Sequence, residues 1–129
     1  AAIKDILAGM QGCLEEVADG KLGTPFNELE KEELESVFSG NTGTDILYNI
    51  YGVKLAWEKS KLQEYMQSRN SSLANTLTSQ LNTVVKLAKA LPARLSDKIN
   101  DPSTQQQVEE LISALRITAE TTSSVASSI

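Results

Sequence analysis

Along the first twenty residues the apolar positions are Ile3, Ile6, Leu7, Met10, Cys13, Leu14 and Val17, which recur at the three- and four-residue spacing of one helix face. The spacing predicts a first helix that ends near Asp19 and Gly20, where glycine can adopt the left-handed conformation that stops a helix. From Lys21 to about Gly43 the pattern lapses. Gly23, Pro25, Gly40 and Gly43 punctuate this stretch, and five Glu from Glu28 to Glu35 surround Leu29 and Leu34. A long loop with at most one short helical turn is expected. A connection of ~20 residues is far above the usual ~4 to 6, and loops of that length are often functional.

Periodicity resumes with Ile46, Ile50, Val53 and Trp57 on one edge and Leu47, Tyr51 and Leu55 on the next, and Leu62, Tyr65 and Met66 extend the same second helix. Thr42 and Asp45 have capping-box spacing, which places the helix start at Thr42 to Thr44. After a turn at Asn70-Ser71-Ser72, a third helix carries Leu73, Leu77, Leu81, Val84, Ala88 and Leu91 and stops or kinks around Pro92. Leu95 and Ile99 lead to Asp101-Pro102, an N-cap followed by proline at the first helical position. The fourth helix runs through Val108, Leu111, Ile112, Leu115, Ala119, Thr122 and Val125. No window alternates as a strand would. Four amphipathic helices must bury their stripes against one another, so the expected fold is all-α: a single up-down-up-down four-helix bundle over residues 1–129, with the long loop between helices one and two.

Composition narrows the chemistry. At 129 residues, 40% hydrophobic and 22% charged, the chain has material for one core and is neither membrane-like nor disordered. Its net charge of -5 and lack of a basic run argue against nucleic acid as a partner. No run of 18 apolar residues exists, so no membrane-spanning helix is expected. The N-terminus lacks both a signal-peptide pattern and an initiating Met, which suggests a matured product, a designed chain or a fragment of something longer. There is no histidine, so imidazole-based catalysis and zinc ligation would need another chain. The lone Cys13 sits on the predicted apolar stripe and reads as a packed thiol, and Tyr51 and Trp57 read as core. Glu15, Glu16, Glu109 and Glu110 fall on predicted solvent faces.

The segment Glu35-Ser36-Val37-Phe38-Ser39-Gly40-Asn41-Thr42-Gly43-Thr44-Asp45 stands apart, because it gathers polar side chains around one apolar anchor just before a helix. Capping and turn chemistry account for it structurally; a site for an anion or polar ligand at the free N–H groups of the helix start accounts for it functionally.

In this segment Glu35, Ser36, Phe38, Ser39, Asn41, Thr42 and Asp45 resemble a motif of the imelysin-like family, which includes iron-regulated surface proteins and metallopeptidase relatives. Ile46 to Val53, with Gly52, resembles the helix that follows in that family, and Ile6-Leu7-Ala8-Gly9-Met10 its first helix. Ala90-Leu91-Pro92, Asp101-Pro102 and Val108-Glu109-Glu110-Leu111 resemble the closing helices. Gly40 and Gly43 stand where many members carry Asp and His, and the Gly-x-His-x-x-Glu signature of the family's N-terminal half is missing. The resemblance is therefore to the C-terminal half alone.

The resemblance implies a protein of the bacterial envelope, periplasmic or at the cell surface in the manner of an outer-membrane lipoprotein, acting as a binding module in iron acquisition. Its site would consist of Glu35, Ser36, Phe38, Ser39, Asn41, Thr42 and Asp45. No cofactor is expected in this chain; a longer product would carry iron or another metal. No catalytic residue is assigned, and the expectation leans away from an enzyme. The expected partner is a second helical half or another bundle. The alternatives are a structural or protein-interaction bundle without a ligand, to which the Ser/Thr-rich end of helix four is suited, or one half of a metallopeptidase-like protein.

Overall fold

The computed structural model describes residues 2–23, 42–92 and 101–129, and every element among them is helical. In chain order these are α1 (Ala2–Glu15), a π-helical continuation (Glu16–Gly23), α2 (Thr42–Lys59), α3 (Leu62–Arg69), α4 (Ser71–Ala90) and α5 (Pro102–Ser127). Most of the predicted long loop, residues 24–41, lies outside the described residues, as do Leu95 and Ile99.

Two boundaries differ from those the periodicity predicts. The first helix does not end at Asp19: after Glu15 it widens into π geometry and continues to Gly23. Its residues Val17 and Ala18 are both buried in the core. The second difference is that the predicted second helix is two helices, giving five among the described residues rather than four. Continuing α2 past Trp57 at helical spacing would turn Ser60, Lys61 and Glu64 toward the core. Instead Lys61 takes up the left-handed conformation (φ 65°, ψ 8°), and the Ser60 hydroxyl donates to the carbonyl of Ala56. The break rephases the chain so that Leu62 and Met66 are buried.

The remaining helix ends follow local chemistry. The side chain of Asn70 accepts from the Leu73 N–H at 3.1 Å and caps α4. Leu91, extended as residues before proline are (ψ 144°), closes that helix ahead of Pro92. The Asp101 carboxylate accepts from the Ser103 N–H at 2.9 Å, with Pro102 opening α5 as predicted.

Helix α1 packs against α5 and α2, α2 against α4, and α4 against α5, so the four long helices form a closed ring around one apolar core. Leu7, Leu14, Ile50, Trp57, Leu77, Leu81, Leu111 and Leu115 are among its fully or almost fully buried members. The short α3 packs on α2 and α4. On α5 the stripe contains hydroxyls: Thr118 donates to the Ala114 carbonyl at 2.7 Å and Thr122 to that of Thr118 at 2.8 Å, which lets both be buried. Thr122 and Val125 at the Ser/Thr-rich end thus serve the chain's own core. Ile6 and Leu55, placed on the apolar faces by periodicity, are 37% and 49% exposed.

Candidate functional site

Of the seven candidate residues, Glu35, Ser36, Phe38, Ser39 and Asn41 lie outside the described residues. Thr42 is the first residue of α2, so the helix starts where its capping signal predicts. Asp45 is exposed in the first turn, where its negative charge faces the positive end of the helix. Gly43, between them, is buried.

From Asp45 the same face of α2 continues through Tyr48, Asn49, Gly52 and Ala56 at three- and four-residue steps. Beyond Asp45 these residues meet Ile6, Gly9, Met10 and Cys13 of α1 and form an open groove of about 410 Å³. No lining residue is charged. Tyr48 stands on its rim, 69% exposed. Cys13 is half-buried in the wall, with its Sγ 3.9 Å from the Asn49 carbonyl oxygen, and so is less enclosed than its place on the stripe predicts. Periodicity did not single out this groove, since glycines and an outward Tyr carry no apolar rhythm. The available signal was the coincidence of Gly9 and Gly52 in helix interiors, where glycine is unfavourable.

A second, polar groove of about 330 Å³ lies between α1 with its π-helical continuation and α5, lined by Gln11, Glu15, Asp19, Arg116, Ala119, Glu120 and Ser123. Arg116 donates from Nε and Nη2 to one carboxylate oxygen of Asp19, at 3.0 and 2.8 Å. Both side chains are more than half exposed, so water screens the pair and its contribution to stability is about 0–1 kcal/mol. Glu15, Glu16, Glu109 and Glu110 are exposed as predicted, and Glu15 and Glu110 accept from Gln11 and Gln106 one turn earlier.

Among the described residues no group of three or more His, Cys, Asp or Glu is placed to hold a metal ion. Of the candidate site's two carboxylates, Asp45 is among these residues and Glu35 lies outside them. None of the described helices is long and apolar enough to cross a membrane.

The described residues define an all-helical protein whose second helix opens on a polar motif and presents an uncharged groove beside it. Within that class the chain belongs to the imelysin family, whose model matches residues 1–122. It is also similar to Iron-regulated protein A of Synechococcus elongatus, at 28% identity over 113 residues. That match covers 79% of this chain and 31% of the relative, so the chain spans less than a third of the curated protein it matches. No solved structure matches the chain.

Proposed function

We propose that this chain is a non-catalytic binding module of an imelysin-family protein of the bacterial envelope, linked to iron acquisition. Its polar site is the segment that enters α2, formed by Glu35, Ser36, Phe38, Ser39, Asn41, Thr42 and Asp45. One observation carries the reading: the family match runs through this segment, and its last residue, Asp45, stands exposed in the first turn of α2. The link to iron comes from the printed name of the cyanobacterial relative. A periplasmic or surface location follows from the same family reading. Residues 1–129 form a single domain in this account, its long helices alternating up and down around the ring.

Hydrolysis by a metal requires ligands that hold the ion with an open position, and a chain without histidine must find them among carboxylates or in another chain. The purified 129-residue protein is therefore expected to leave peptide substrates intact with or without a chelator. Chelator-sensitive hydrolysis would overturn the non-catalytic reading.

A second reading, in which this chain is one half of a larger metallopeptidase-like protein, is favoured by the short span of the curated match. The partner is then a second helical half or another bundle. The intact mass of the product in its native cells separates the two. A product two to three times the mass of this chain supports a site shared between halves, and a product of this chain's own mass supports a module that acts alone.

A further inference from the structure

We draw no further inference here: the strongest candidate, the uncharged groove between α1 and α2 lined by Ile6, Gly9, Tyr48, Gly52 and Ala56, is an open apolar face, and nothing in the structure shows what covers it.

Discussion

The indole N–H of Trp57 on α2 donates to the hydroxyl of Thr78 on α4 at 2.9 Å. The same oxygen accepts from the Gln63 amide of α3 at 3.2 Å and donates to the Ala74 carbonyl at 2.9 Å, so one hydroxyl ties three helices together. Trp57 is fully buried, and Thr78 is the acceptor its N–H meets among the described residues. Thr78→Val keeps the shape and removes the oxygen, and is expected to cost about 1–3 kcal/mol. Thr78→Ser should cost much less. Urea denaturation followed by the emission of Trp57, the sole tryptophan, measures both. Equal stability of Thr78→Val and the parent would show that this contact is not made in solution.

Lys61 is the one non-glycine residue with positive φ among the described residues. Holding an L-residue there costs about 1–2 kcal/mol, part of which glycine gives back through its greater freedom in the unfolded chain. Lys61→Gly is therefore expected to stabilise the protein by up to about 1 kcal/mol, and Lys61→Val to destabilise it. A loss of stability in Lys61→Gly would mean that α2 and α3 run on as one helix.

Gly9 and Gly52 lie in helix interiors, and a Cβ added at either meets no atom within 4 Å. Gly9→Ala and Gly52→Ala should each stabilise the isolated chain by roughly 0.5–1 kcal/mol, because alanine loses less conformational freedom on folding. Thermal unfolding of the single variants checks this. Destabilisation would show that the groove is closed in solution.

Much of this architecture could be read from residue order. The stripes through Leu7 and Leu14, Ile46 to Trp57, Leu77 to Ala88 and Val108 to Val125 gave the long helices, because burial on one face leaves a strong helical period. Asp101-Pro102 and Thr42 marked helix starts because capping is local chemistry. The break at Lys61 was masked because Leu62 and Met66 continue the edge through Leu55; its mark in the sequence is that Ser60, Lys61 and Glu64 fall where the Trp57 stripe would run on. The π-helical turn after Glu15 was hidden because Val17 and Ala18, three and four residues after Leu14, also suit an α-helical stripe. Of the candidate site, the positions of Thr42 and Asp45 at the entry to α2 were legible. The groove beside it was not, because it results from what Gly9 and Gly52 lack.

In the proposed function the Glu35 to Asp45 segment binds a ligand and does more than cap α2. Anaerobic titration of ferrous iron, here the bound cargo and not a resident cofactor, into the 129-residue protein and its Asn41→Ala and Asp45→Ala variants, with thermal unfolding of each, tests this binding. Removing a first-turn carboxylate costs only about 0.3–1 kcal/mol of stability, so a much larger loss of binding would be specific to the site. The parent is expected to bind, and each variant to bind at least about tenfold more weakly, a difference of about 1.4 kcal/mol, while remaining folded. Absence of iron uptake by the parent, or variants that bind as the parent does and change only in stability, would overturn the binding reading.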